Sequence, residues 1–133
     1  MKVYVETYGC RMNICDSEVL VSILEASGFE YTTLWVEAEV VVLNCCSVRE
    51  VGHAKTYQRI SELDSCLRTD VILCLAGCMS TQLQGDAFAT FPRVHIIIEP
   101  TAYRLLPQAL ASIRNGQASH LYVRNGQQNE VYD

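Results

Sequence analysis

Apolar runs of strand length alternate with amphipathic helical patterns along most of this chain, and that alternation limits the folds open to it. Residues 3–8, Val-Tyr-Val-Glu-Thr-Tyr, read as a first strand. Residues 31–34 read as a weaker edge strand. Residues 39–44, 71–76 and 94–98 read as three more, the first two of these apolar on both faces as buried parallel strands are. Four helical patterns lie between them. Residues 13–27 place Cys15, Val19, Leu20, Ile23 and Leu24 on one face, with Gly28 as the stop. Residues 47–67 open with Ser47-x-x-Glu50, a capping-box spacing. Residues 79–89 form a less amphipathic third helix. Residues 101–115 turn Leu106, Ala109, Leu110 and Ile113 inward before Gly116.

The order βαββαβαβα predicts an α/β fold with an open, mostly parallel five-stranded sheet and helices on both faces. The nearest arrangement is the flavodoxin-like strand order 2-1-3-4-5. Residues 36–38 are too few for a helix between the second and third strands. After Gly116 the chain turns polar, with a hairpin signal at Asn125-Gly126. The reading is a domain over residues 1–116 and a tail or linker over 117–133.

The chain has 133 residues, half of them hydrophobic, enough for one core. No apolar run approaches the roughly 18–20 residues of a membrane span. The sequence enters a strand pattern at once, with no signal peptide, so a cytoplasmic protein with no membrane partner is expected. The net charge of −5 argues against this segment gripping nucleic acid by itself.

Seven cysteines are many for such a chain, and the number is odd. Without an export signal, thiols that bind metal, react or pack are the better readings than disulfides. Cys10 follows the first strand, Cys46 the third and Cys78 the fourth. In an open parallel sheet those three loops are neighbours at the carboxyl edge, where ligands bind. Each also stands at or just before a helix start, where backbone N–H groups favour anionic thiolates. Cys15, Cys66 and Cys74 read as small buried hydrophobes. Cys45, next to Cys46, points the other way by strand alternation. Structural zinc needs four ligands, and His53, His95 and His120 are poorly placed to supply the fourth. Three thiolates suit a [4Fe–4S] cluster that keeps one iron open. Cys10, Cys46 and Cys78 are therefore the candidate metal and cofactor ligands, and no residue is assigned a catalytic role. Cys74 and Cys78 begin a CxxxCxxC spacing, but Thr81 stands at its third position, so the apparatus for radical generation is missing.

Thr7-Tyr8-Gly9-Cys10-Arg11-Met12-Asn13 with Asp16-Ser17-Glu18, Asn44-Cys45-Cys46-Ser47-Val48-Arg49-Glu50, Gly77-Cys78-Met79 and Arg104-Leu105-Leu106-Pro107 occur in order. These motifs resemble those of the amino-terminal domain of the radical S-adenosylmethionine methylthiotransferases. The likeness is greatest to the branch that modifies isopentenyl-adenosine in tRNA. Arg11, Cys45 and the Ser80-Thr81-Gln82 run depart from the usual residues without removing a ligand. The resemblance implies a transferase of three domains: this one with an auxiliary [4Fe–4S] cluster for sulfur insertion, a radical barrel with a second [4Fe–4S] cluster and S-adenosylmethionine, and an RNA-binding domain that engages tRNA. This segment alone would be inactive. The competing reading is a non-catalytic flavodoxin-like cofactor-binding module. The chain lacks a DxHxxG cobalamin motif, and residues 8–13 are not a flavin phosphate loop.

Overall fold

The computed structural model describes residues 1–7, 11–44, 50–77, 88, 92–124 and 130–131. Its strands are β1 (Lys2–Thr7), β2 (Glu30–Tyr31), β3 (Val40–Asn44), β4 (Ile72–Ala76), β5 (Ile96–Ile98), β6 (Leu121–Val123) and β7 (Glu130–Val131). Its helices are α1 (Arg11–Ala26), α2 (Glu50–Cys66) and α3 (Leu106–Arg114). The sheet order is β2-β1-β3-β4-β5-β6-β7, parallel from β2 to β6, with β7 antiparallel to β6. The expected α/β fold and the order 2-1-3-4-5 are both present.

Two packed layers follow from the period-two alternation of the strands. Val3, Val5, Val40, Val42, Ile72 and Cys74 face one side, under Leu20 and Leu24 of α1 and Leu106, Ala109 and Leu110 of α3. Val41, Leu43, Leu73, Leu75 and Ile97 face the other, under Ile60 and Leu63 of α2. Every residue of β3 and β4 is buried, as expected for strands covered on both faces.

The structure corrects several details. The sheet has seven strands among the described residues, not five. The segment after Gly116 is no detached tail, because Leu121, Tyr122 and Val123 are 3%, 1% and 0% exposed and pair with β5. Three apolar residues between polar flanks are too few for a periodic signal, yet they cover an otherwise bare strand edge. The Asn125-Gly126 turn lies outside the described residues, although β6 and β7 pair antiparallel as a hairpin requires. The fourth helix begins as a 3-10 helix over Pro100–Leu105 and becomes α-helical at Leu106. Of the third helix only Phe88 is described; it is helical and buried.

The inward stripe of α1 also differs. Leu20 and Leu24 are buried and Val21 and Ile23 partly so, whereas Val19 is 51% exposed and Cys15 is exposed. The stripe runs Ser17, Leu20, Val21, Leu24 at helical spacing. Its first member is polar, so counting apolar residues alone shifts the phase. At the far end Gly28, at φ +97°, lets the Phe29 N–H reach the Leu24 carbonyl at 3.0 Å, a Schellman closure.

Candidate functional site

Parallel pairing brings the carboxyl ends of β1, β3 and β4 level with one another. Thr7 pairs with Asn44, and Asn44 with Ala76. Adjacent strands lie about 4.8 Å apart, so the three ends span on the order of 10 Å. Cys10, Cys46 and Cys78 follow these ends by two or three residues; they and Cys45 lie outside the described residues. The structure thus brings together the strand ends that precede the candidate ligands. Among the described residues no group of three His, Cys, Asp or Glu side chains is placed to hold a metal ion.

The described part of this edge contains a hydrogen-bond network absent from the sequence-based list of site residues. Asn44 Nδ2 donates to Ser17 Oγ at 2.9 Å, and Ser17 Oγ shares a second hydrogen bond with Thr7 Oγ1 at 2.6 Å. Asn44 is fully buried, so its amide requires such partners. Each of the three belongs to a different motif segment: Thr7 precedes Gly9-Cys10, Ser17 sits in Asp16-Ser17-Glu18, and Asn44 precedes Cys45-Cys46. Their presence in the motifs was the available signal. Burial holds the neighbouring Asp16 carboxyl above its ordinary pKa.

On the opposite face, α2 is tied to the same strand. Arg59 Nε donates to Glu6 Oε2 at 2.9 Å, and Tyr4 OH donates to Glu6 Oε1 at 2.9 Å. Burial first, and then the Glu6 carboxylate, push the Tyr4 phenol up to about 12. It therefore stays a neutral donor at any physiological pH. Both helices that follow the candidate loops are thus fastened to β1, α1 through Ser17 and α2 through Arg59.

The turn after β4 has its own requirement. Gly77, the residue before Cys78, sits at φ +89°, where a side chain is strained.

The remaining thiols separate clearly from this edge. Cys74 is fully buried in mid-strand, and burial pushes its pKa up, so it is a protonated packing group rather than a ligand. Cys15 and Cys66 are exposed, which corrects the expectation of burial. The α1 stripe runs through Ser17 rather than Cys15, and Cys66 is the last residue of α2. His95 and His120 precede β5 and β6, at the edge opposite the candidate loops. His53 lies in α2, and its side chain is outside those described. Neither His95 nor His120 is therefore placed to complete a tetrahedral site beside the three cysteine loops. Three cysteine thiols, as the motifs supply, would suit an iron–sulfur cluster better than structural zinc, which takes four ligands.

No helix among the described residues is long and apolar enough to cross a membrane. The sequence profile of the uncharacterized protein family UPF0004 matches residues 2–99. The chain is 38% identical over 115 residues to the tRNA-2-methylthio-N(6)-dimethylallyladenosine synthase of Amoebophilus asiaticus, covering 85% of this chain and 24% of that protein. It is 35% identical over 117 residues to the enzyme of the same name from Azobacteroides pseudotrichonymphae, covering 86% and 26%. It is 37% identical over 122 residues to a mitochondrial tRNA methylthiotransferase of Rattus norvegicus, covering 87% and 21%. The chain spans about a quarter of the length of these curated relatives. The matched profile, the ordered motifs and the sheet that aligns them establish that the chain belongs to the UPF0004 family, the amino-terminal domain of the methylthiotransferases.

Proposed function

We propose that this chain is the cluster-carrying domain of a tRNA methylthiotransferase, a transferase that adds a methylthio group to C2 of N6-isopentenyladenosine near the anticodon. Cys10, Cys46 and Cys78 hold an auxiliary [4Fe–4S] cluster. When bound, that cluster supplies an iron with an open position for sulfur. The rest of the polypeptide contributes a radical barrel, with its own [4Fe–4S] cluster and S-adenosylmethionine, and an RNA-binding domain that engages tRNA. The enzyme works in the cytoplasm, and this domain is inactive alone.

The observation that carries the reading is the level alignment of Thr7, Asn44 and Ala76 on neighbouring strands. Two or three extended residues reach about 7–11 Å, enough for thiols on all three loops to meet above strand ends so close together. The activities after which the relatives are named support the tRNA substrate and its dimethylallyl-adenosine. A domain with a net charge of −5 suits an enzyme whose RNA contacts lie elsewhere.

Between the adjacent cysteines, strand parity favours Cys46. Asn44 turns its side chain to the α1 face, where it meets Ser17, and Cys46 shares its parity whereas Cys45 does not. The test is anaerobic reconstitution with iron and sulfide, read by absorption, paramagnetic resonance and iron content per chain. Replacing Cys46 by Ala is expected to abolish the cluster; Cys45→Thr is expected to keep it. Retention in Cys46→Ala with loss in Cys45→Thr would reverse the assignment. Tight flavin binding with no cluster in the unsubstituted chain would support the cofactor-module reading instead.

A further inference from the structure

We propose that Thr7, Ser17 and Asn44 form a positioning network that sets the spacing of the Cys10 and Cys46 loops, and through it the grip on the cluster and its electronic character. The inference rests on the cluster reading above.

Asn44 is the only buried amide or charged side chain among the described residues. The other side chains of β3 are Val and Leu, and burying an amide among them is costly unless its hydrogen bonds are met. An aliphatic residue would pack there at lower cost, so a polar side chain at this position calls for a reason beyond stability. Its location supplies one. The amide sits on the last residue of β3, level with the last residue of β1, and both are bonded to the same helix.

The connectivity is specific. Residues 8–10, which include Cys10, are bracketed by Thr7 on one side and by α1 on the other. The Thr7–Ser17 hydrogen bond joins those two brackets directly, at 2.6 Å. The Asn44–Ser17 bond then ties the same point of α1 to the strand that leads to Cys46. Ser17 Oγ is the shared node, accepting from Asn44 and engaging Thr7 with its remaining capacity. One hydroxyl therefore holds two loop origins and one helix in register. Groups hydrogen-bonded directly to metal ligands commonly govern metal affinity by about 10–100-fold; this network acts one step further back, on the strand ends, so an effect at the low end of that range is expected.

The test compares Ser17→Ala, Ser17→Thr and Thr7→Val with the unsubstituted protein. Thermal unfolding of the metal-free forms monitors folding. Each protein is then loaded anaerobically, and three quantities are read: iron retained against a chelator, the midpoint potential, and the paramagnetic resonance of the reduced cluster. Ser17→Ala is expected to load a cluster that loses iron about tenfold faster, with a shifted potential and resonance. Ser17→Thr, which keeps the hydroxyl, is expected to restore all three. A folded Ser17→Ala protein with unchanged retention, potential and resonance would overturn the proposal while leaving the cluster reading intact. Should Ser17→Ala not fold, Thr7→Val decides: it removes one hydroxyl at nearly constant volume, and behaviour identical to the unsubstituted protein would likewise overturn the network. Failure of the unsubstituted protein to load any cluster would remove both readings together.

Discussion

Gly77 shows how much a single position can carry. Its φ of +89° lies where a Cβ meets the following carbonyl, a strain of about 1–2 kcal/mol for an ordinary residue. Gly77→Ala is expected to lower stability by about that amount, seen as a lower urea midpoint with an unchanged slope. With Cys78 as a ligand, as proposed above, the same substitution is expected to lower reconstituted iron content further than the stability loss accounts for. Unchanged iron content would mean that the turn does not aim the ligand. Such residue-scale features were partly legible. The Gly77-Cys78-Met79 motif singled out this position, but nothing in the sequence says that Asn44, rather than another polar residue near a strand end, is fully buried. Only the pairing of Thr7 with Asn44 and the phase of α1 bring Ser17 between them.

At the scale of elements, the sheet does not stop at β5. Its far edge is covered by β6, whose Tyr122 hydroxyl donates to Glu99 and whose Leu121 N–H donates to the His95 carbonyl at 2.9 Å. A chain ending at Gly116 would leave Ile96, Ile97 and Ile98 with a bare edge and would lose three buried side chains. At about 1.5–3 kcal/mol each, that loss reaches roughly 5–9 kcal/mol, comparable to the whole stability of a domain, about 5–15 kcal/mol. The truncated protein is expected to lose cooperative thermal unfolding by circular dichroism and to aggregate; a sharp, unshifted transition would refute this. The strands were legible where apolar runs are long, as in β3 and β4. They were not legible in β6 and β7, where three and two residues leave no period to read. Helix α1 was legible as an element but not in its phase, because a serine occupies a core-facing turn.

Over the whole molecule, the two ends of the sheet differ in chemistry. The carboxyl edge holds the strand ends that precede Cys10, Cys46 and Cys78; the amino edge holds His95, Arg93 and His120. His95 Nδ1 accepts the Leu73 N–H at 3.3 Å and lies 3.4 Å from Arg93 Nη1, so the ring is neutral. Burial, and then the Arg93 and His120 charges, depress its pKa to about 4. The unfolded chain, with an ordinary histidine pKa near 6.5, binds more protons between those values. Stability is therefore complete above about pH 6.5 and is lost as pH falls toward 4, by on the order of 1 kcal/mol once solvent screening of this half-buried ring is allowed for. Urea titrations across that range should show the loss, and His95→Gln should flatten it. The amino edge thus responds to acid, while the carboxyl edge rests on the interior of the sheet. All ten residues of β3 and β4 are buried, and each strand is paired on both sides. Amides held this way exchange with solvent only when the domain opens globally. The strands leading to Cys46 and Cys78 consequently move as one slab, so on the function proposed above a reacting partner would be met at that edge by the travel of the partner, or of the slab as a rigid body, and not by flexing of the strands beneath it.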